Sequence, residues 1–383
     1  MIHRLASGAA LAALCAGGSL AAPAALTPIP VASLATKLSP GYHHVFSPET
    51  ANPLAREARA NALAAGTVNT VPTWIRSFTI NGKTYHAHII GTAPGVGGAT
   101  IVPVVIVPIR LTISDYRVGG APLVLDGDQV VTSMLASLFF NASSYPGGAR
   151  PFIDAMLHAD FPTAKPTWSV TFAPTVASTL NITAPSKTAT VYKAASGAYL
   201  ATINSDNVID TPITKALASY PANTVVIFVT YNAMEHDAFG YHDFYMKSNS
   251  GGDVVYTYTS WLVGVDDAFS VPSPDATTLA HELAELTYDP LITSLTLRWG
   301  DAFDNNKCFQ SYIEVGDAVE DAPASVQLYK EHVTVGGVTN AYTLQNEALL
   351  AWFERLTPSP AIGGAYSFPS ATALTTAAPL TCK

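Results

Sequence analysis

Charged side chains are scarce in this sequence of 383 residues. Only 12% of the residues are Asp, Glu, Lys or Arg, and the 19 basic and 28 acidic residues give a formal net charge of −9. No cluster of Lys and Arg occurs anywhere along the chain. Because nucleic-acid binding depends on basic side chains that neutralise phosphates, this composition argues against a nucleic-acid partner.

The sequence also lacks an apolar run long enough to span a membrane. The longest such run, Ile101–Ile109, is interrupted by Pro103 and Pro108. A short apolar segment that contains proline is more typical of an edge strand or a bulged strand. We therefore expect no membrane anchor.

The N-terminal segment is typical of a secretory signal peptide. Arg4 supplies positive charge, and the apolar stretch that follows, Leu5 to Leu20, is short and rich in Ala and Gly. Ala22-Pro23-Ala24 then fits a small-x-small cleavage site. We therefore predict a signal peptide over residues 1–24 and an extracellular or periplasmic mature protein.

Cysteine is nearly absent, with Cys15, Cys308 and Cys382 as the three instances. Cys15 leaves with the signal peptide, so two cysteines remain in an exported chain. This count predicts one disulfide between Cys308 and Cys382, with two free thiols as the alternative.

The remaining pattern predicts a Pro/Ala-rich leader over residues 25–66 and a single large α+β domain over residues 67–383. Asn81-Gly82 and Gly336-Gly337 each separate two strand-like runs and predict tight hairpins. Helical and strand patterns alternate, but hairpins require antiparallel pairs. The predicted fold class is therefore α+β with a mixed sheet.

Helix-start signals locate several helices. We predict a helix capped by Asp128, a helix opened by Thr211-Pro212, and a helix that begins at Ser273-Pro274 and ends before Pro290. A further helix is predicted over Asn346–Arg355.

The most informative stretch is the pentapeptide His281-Glu282-Leu283-Ala284-Glu285, which has apolar neighbours on both sides. In a helix, His281 and Glu285 project from one face. HExxH motifs present two zinc ligands in this way, with the intervening Glu as general base. We therefore predict His281 and Glu285 as metal ligands and Glu282 as the catalytic residue. The alternative is a solvated helix face, which the apolar neighbours argue against.

A third ligand is expected from an acidic segment about thirty residues downstream. Residues 314–321 contain Glu314 and Asp317, and both stay open as the third ligand. For Gly316-Asp317, the alternative interpretation is an ordinary turn.

These residues resemble the phosphate-induced protein 1 family, which includes the plant Exordium proteins and secreted bacterial relatives. The likeness covers about residues 224–321 and is strongest at His281, Glu282, Glu285, Asp289-Pro290, Trp299, Glu314 and Asp317, with Gly240-Tyr241-His242 similar to bacterial members. It implies a secreted protein with a zincin-like architecture and an HExxE active-site helix. It implies no particular reaction, because family members are known mainly as extracellular, growth-associated proteins. Many members place a Cys just after the acidic motif, whereas Cys308 precedes it here.

The expected ligand set of one His and two carboxylates nearly neutralises a divalent cation. Such a cation lowers the pKa of bound water less than one held by three imidazoles. Weak catalysis or a structural role is therefore plausible. We predict zinc, and the oxygen-rich ligation also admits calcium or manganese.

Other histidines are candidates of lower rank. His236 and His242 follow a buried strand predicted at Thr224–Tyr231, and His242 could be a ligand or a histidine hydrogen-bonded within a loop. His86 and His88 alternate along a predicted strand, and we interpret both as surface residues.

Together these patterns predict a secreted zinc-dependent hydrolase that acts on peptides. The alternative is a non-enzymatic extracellular protein with a structural or vestigial metal site. An open coordination position would favour the enzyme, and a fourth protein ligand such as His242 would favour the structural role.

Overall fold

The computed structural model describes residues 27–33, 37–38, 61–62, 66, 68–235, 238–247, 252–303 and 310–380. The predicted signal peptide, most of the predicted leader, His236, Cys308 and Cys382 lie outside the described residues. No described helix is long and apolar enough to cross a membrane.

The strands are β1 (Ile29–Pro30), β2 (Thr73–Ile80), β3 (Lys83–Ile90), β4 (Ala99–Val118), β5 (Ala121–Asp126), β6 (Ser143–Tyr145), β7 (Gly148–Arg150), β8 (Ser169–Val176), β9 (Leu180–Ala184), β10 (Ala189–Lys193), β11 (Tyr199–Ile203), β12 (Val225–Tyr231), β13 (Ala233–Glu235), β14 (Gly240–Met246), β15 (Asp253–Trp261), β16 (Leu295–Trp299), β17 (Gln310–Tyr312), β18 (Leu328–Val335), β19 (Val338–Gln345), β20 (Glu347–Ala348) and β21 (Ser367–Phe368). The α-helices are α1 (Asp128–Leu135), α2 (Phe152–Asp160), α3 (Asp206–Leu217), α4 (Thr277–Tyr288), α5 (Ala324–Gln327) and α6 (Leu350–Phe353).

A seven-stranded mixed sheet forms the centre of the fold. Its strands run in the order β14-β15-β12-β4-β5, and β8 and β9 also pair with β4. β12 is parallel to β4 and to β15, whereas β14 is antiparallel to β15. The predicted α+β class with a mixed sheet is therefore confirmed.

Helix α4 packs against β14 and β15 on one face of this sheet. All twelve residues of α4 are buried, so it is an internal helix and not a solvated one. On the opposite face, Ile209, Ile213 and Leu217 of α3 join a second apolar core with Tyr241. Core on both faces explains why β12 and β15 consist almost entirely of buried residues.

The expectation of an edge or bulged strand at Ile101–Ile109 is borne out only in part. Residues 101–103 pair with β8 and with no other described strand, whereas Val104–Ile106 have β8 on one side and β12 on the other. The β12 ladder begins at Val104, one residue after Pro103. The β8 ladder ends at Ile106 and the β9 ladder begins at Ile109, so Pro108 lies between them. Each proline therefore occupies a position where one of the two ladders is interrupted, which is where a missing N–H donor is tolerated.

Both predicted hairpins are confirmed. β2 pairs with β3 and β18 pairs with β19, each around its two-residue turn. Asn81 and Gly82 have φ values of 50° and 79°, as the left-handed turn residues of a tight hairpin require.

Several helix boundaries differ from the sequence prediction. α1 begins at Asp128 itself and has no side-chain cap. α3 begins at Asp206 and contains Pro212, because the apolar face that it buries begins before that proline. α4 begins three residues after Pro274.

The predicted helix over Asn346–Arg355 is also wrong. Glu347 and Ala348 pair with β21, and the Ala348 N–H donates to the Val315 carbonyl over 2.8 Å. Only Leu350–Phe353 is helical. Strand pairing with distant segments therefore overrides local helix propensity here.

His88 is buried, contrary to its interpretation as a surface residue. Its side chain is 2% exposed, and its Nδ1 lies 2.9 Å from the Thr293 hydroxyl. Burial lowers the pKa of His88 to about 4. His86, two residues earlier on the same face of β3, is exposed.

A buried carboxylate at the end of α2 joins three helices. Asp160 accepts a hydrogen bond of 2.5 Å from the Tyr288 hydroxyl and one of 2.9 Å from the Leu350 N–H. Burial raises the pKa of Asp160 to about 7. The folded state therefore retains this proton over a pH range in which the unfolded chain, with a pKa of about 3.9, has lost it.

We expect Asp160 to make the protein less stable as the pH rises from about 4 to about 7, because the folded state binds more protons than the unfolded state in that window. A difference of about three pKa units corresponds to roughly 4 kcal/mol. Asp160→Asn should flatten this part of the stability profile, measured by denaturant unfolding between pH 4 and 8. Asp128→Asn, which removes an exposed carboxylate, is the matched control. Equal slopes for wild type and Asp160→Asn would contradict this assignment.

Candidate metal centre

Seven titratable side chains from four segments converge beside α4. The helix supplies His281, Glu282 and Glu285, and β14 supplies His242. Glu314 and Asp317 follow β17, and Glu347 lies on β20. Each of the seven is at most 4% exposed.

Local periodicity determines which side chains meet. His281 and Glu285 are one helical turn apart, so both project from the same side of α4. On β14, side chains alternate between the two faces of the sheet. Gly240 and His242 face α4, whereas Tyr241 packs in the core on the opposite face.

The first group of ligand atoms comprises His281, Glu285 and Asp317. His281 Nε2 lies 3.1 Å from Glu285 Oε2 and 3.5 Å from Asp317 Oδ1. Glu285 Oε1 accepts hydrogen bonds from the Gly316 N–H over 3.1 Å and the Asp317 N–H over 3.3 Å. These bonds fix the carboxylate and leave Oε2 directed toward the histidine.

The second group comprises His242, Glu282 and Glu285. His242 Nδ1 lies 3.6 Å from Glu282 Oε2 and 3.4 Å from Glu285 Oε2. The other ring nitrogen of His242, Nε2, lies 3.8 Å from Glu314 Oε2. In each of the two groups the ligand atoms lie within 4.8 Å of one another, and Glu285 belongs to both. Buried groups that could hold a metal ion are therefore present.

Two glycines allow the segments to approach this closely. A Cβ atom on Gly316 would lie 2.2 Å from His281 Nδ1, so the backbone at residue 316 packs directly against the imidazole ring. A Cβ atom on Gly240 would lie 2.7 Å from the Tyr258 carbonyl and 2.9 Å from Glu282 Oε1. Any larger residue at either position would displace a side chain of the candidate site.

The side chains strongly perturb one another's protonation. Burial by itself lowers the pKa of His281, but Glu285 and Asp317 raise it well above its usual value. Burial likewise opposes protonation of His242, and Glu282 and Glu285 outweigh that effect. Burial opposes ionisation of Glu285, but the two histidines hold its pKa below the usual range. The cluster therefore favours cationic partners next to Glu285.

Sequence reasoning missed Glu347. Its carboxylate is fully buried, and neither oxygen has a hydrogen-bond partner among the described residues. Burial first, and then the neighbouring carboxylates of Glu285 and Glu282, raise its pKa well above the usual value. An acidic residue directly before the apolar run 348–353 is an available signal, but the predicted helix over Asn346–Arg355 places it in a first turn, where glutamate is common.

The structure brings together every site residue predicted from the sequence. Asp317 lies beside His281 and Glu285, whereas Glu314 lies beside His242. The two candidates for a third ligand therefore occupy different parts of the cluster. His242 is on a strand and fully buried, so its interpretation as a loop histidine is wrong.

Comparisons with known proteins add no identification. No family model, curated protein or solved structure matches this chain. The resemblance to the phosphate-induced protein 1 family therefore remains a prediction from the motif residues.

We expect Gly316→Ala to weaken metal binding, because the new Cβ would collide with the His281 ring. The loss should be on the order of 10–100-fold, similar to other changes that disturb ligand orientation. Gly95→Ala is the matched control, since Gly95 has open space around it. Zinc titration with a competing chelator measures both variants. Unchanged zinc affinity in Gly316→Ala would contradict the role of His281.

Asp317→Asn should weaken the tightest zinc site by more than ~100-fold, because Asp317 contacts both other members of the first group. Glu314→Gln should cost about 10–100-fold at most, because Glu314 lies on the Nε2 side of His242, away from the first group. Asp321→Asn, at an exposed position in the same segment, controls for loss of charge. The reverse order of the two losses would assign the third ligand to Glu314.

Proposed function

We propose that this protein is an extracellular, zincin-like metal-dependent hydrolase that acts on peptides and holds zinc at His281, Glu285 and Asp317. The observation that supports this proposal is the convergence of His281 Nε2, Glu285 Oε2 and Asp317 Oδ1 in one buried group. One imidazole and two carboxylates form a donor set that suits zinc.

The residues present fit a divalent cation. Separations of 3.1 and 3.5 Å between ligand atoms are close to the edge of a tetrahedron with bonds of about 2.0–2.1 Å, which is roughly 3.3 Å. A bound zinc ion would supply Lewis acidity that activates water and polarises a carbonyl group.

The chain's own groups have distinct tasks in this proposal. Glu285 is fixed by two backbone N–H donors, and Gln310 donates a hydrogen bond to Asp317 Oδ2. Glu282 lies between the two ligands along the helix. Burial raises the pKa of Glu282, which brings this carboxylate closer to the range in which a general base works at neutral pH.

The burial of the site favours a second candidate function. His281, Glu282 and Glu285 are each at most 2% exposed, so a substrate would need a path into the protein. A non-enzymatic extracellular protein that uses the cation to hold α4 against the 314–317 segment needs no such path. Structural metal sites are closed in this way.

Two further features support secretion and the family link. The N-terminal sequence is typical of a signal peptide. The residues of the resemblance to the phosphate-induced protein 1 family include six members of the candidate metal centre, namely His242, His281, Glu282, Glu285, Glu314 and Asp317. Secretion and membership of this family are therefore parts of the same proposal as the hydrolase activity.

Glu282→Gln tests the enzyme. The substitution preserves size but cannot accept a proton, so it should retain the cation at His281, Glu285 and Asp317 and lose at least ~10²-fold in cleavage of an unstructured peptide library. His281→Ala is the control for loss of that cation. If wild-type protein loaded with zinc cleaves no member of peptide and ester panels, the structural function replaces the hydrolase. Equal cleavage by wild type and Glu282→Gln would exclude Glu282 as the base.

A further inference from the structure

We infer that the centre holds two divalent cations, with a second site formed by His242, Glu282 and Glu285 and with Glu285 shared between the two ions. This inference deepens the proposed function and rests on the metal site proposed at His281, Glu285 and Asp317. The second bound ion belongs to the same chemical class as the first, a zinc-like divalent cation.

One oxygen atom connects the two sites. Glu285 Oε2 lies 3.1 Å from His281 Nε2 and 3.4 Å from His242 Nδ1. Its partner atom, Oε1, is already occupied by the N–H groups of Gly316 and Asp317. The shared carboxylate therefore presents the same oxygen to both histidines, which approach it from different elements of the fold.

The second group has the spacing of a ligand set by itself. Nδ1 of His242 lies 3.6 Å from Glu282 Oε2 and 3.4 Å from Glu285 Oε2. These distances are similar to those of the first group and close to the roughly 3.3 Å edge of a tetrahedral zinc site. Cations that share a carboxylate in this way are typical of two-metal hydrolases, whose ions lie about 3.5–4 Å apart.

Glu282 supplies an independent indication of a cation. Its side chain is 1% exposed, and neither carboxylate oxygen has a hydrogen-bond partner among the described residues. A buried carboxylate without hydrogen bonds is costly, whereas a cation beside His242 would satisfy it. Gly240 permits this position, because any Cβ there would lie 2.9 Å from Glu282 Oε1.

Glu314 completes the second site as a positioning residue. It lies on the Nε2 side of His242, away from Glu282 and Glu285. Histidines that bind metals commonly donate their second N–H to a carboxylate, which fixes the ring and raises its basicity. This arrangement explains why the acidic segment contributes two carboxylates to different parts of the cluster.

The charge of the cluster also favours two ions. Among the described residues, Glu282, Glu285, Glu314, Asp317 and Glu347 are buried together with two histidines, His242 and His281. One divalent cation offsets two carboxylate charges, whereas two cations offset four. Buried charges persist in proteins when they are paired or when they coordinate metals.

The second site changes the role of Glu282 from proton acceptor to ligand. If Glu282 is a ligand, its replacement removes one bound ion, whereas replacement of a proton acceptor leaves the number of bound ions unchanged. The number of bound ions is measurable without any enzyme assay.

We therefore propose equilibrium dialysis of the full mature chain against buffered zinc, followed by determination of the zinc-to-protein ratio by mass spectrometry. His242→Ala, Glu282→Gln and the exposed-surface control His332→Ala are compared with wild type, with circular dichroism to verify folding.

Wild type and His332→Ala should bind two zinc ions, and His242→Ala and Glu282→Gln should each bind one. Asp317→Asn should also retain one ion, at the second site. In manganese-loaded wild type, electron paramagnetic resonance should detect a magnetically coupled pair of manganese ions. That signal should disappear in Glu282→Gln, although the variant is folded.

One zinc ion in wild type and the same one ion in Glu282→Gln would overturn the second site while leaving the proposed one-metal hydrolase standing. Two ions in wild type and in both variants would place the second ion away from His242 and overturn the assignment. No zinc in wild type would overturn the proposed function as well as this inference.

Discussion

The burial of ionisable side chains around α4 is the constraint on which the rest of this structure depends. Five carboxylates and two imidazoles lie out of contact with solvent between α4, β14, the segment after β17 and β20. Removing charges from water is expensive unless partners compensate for the loss. The backbone donors at Gly316 and Asp317 and the mutual contacts of the histidines and carboxylates supply part of that compensation. A bound cation would supply the remainder and would then couple folding to metal content.

The layered architecture explains how such a cluster is held in place. α4 is buried along its entire length, so its polar face meets protein instead of water. The sheet places β14 directly under that face, and Gly240 removes the side chain that would separate them. At the end of β19, Gln345 donates a hydrogen bond of 2.7 Å to the Gly316 carbonyl and fixes the loop that carries Asp317. The ligands are therefore positioned by packed elements from distant parts of the chain, which favours a rigid site.

This closed geometry is compatible with two functions for a bound metal ion. A cation bound across α4 and the 314–317 segment would stabilise the folded state, because the unfolded chain cannot assemble the same ligands. The same cation could activate water if substrate reaches it. Which function dominates depends on access, and access is a property of the whole fold. The shared position of Glu285 matters in either case, since removing it would disturb both groups of ligand atoms.

The sequence by itself determined the α+β class, both hairpins, the helical placement of the HELAE pentapeptide and the candidacy of its residues. These features depend on local periodicity and on turn chemistry, which neighbouring residues encode. Only the tertiary structure decided that Asp317 lies beside His281 and that Glu314 lies beside His242, because residues three apart in an irregular segment can face different partners. It also placed His242 and Glu347 in the cluster. His242 belongs there because β14 pairs with β15 under α4, and Glu347 because pairing with β21 replaced a helix that local propensity favoured.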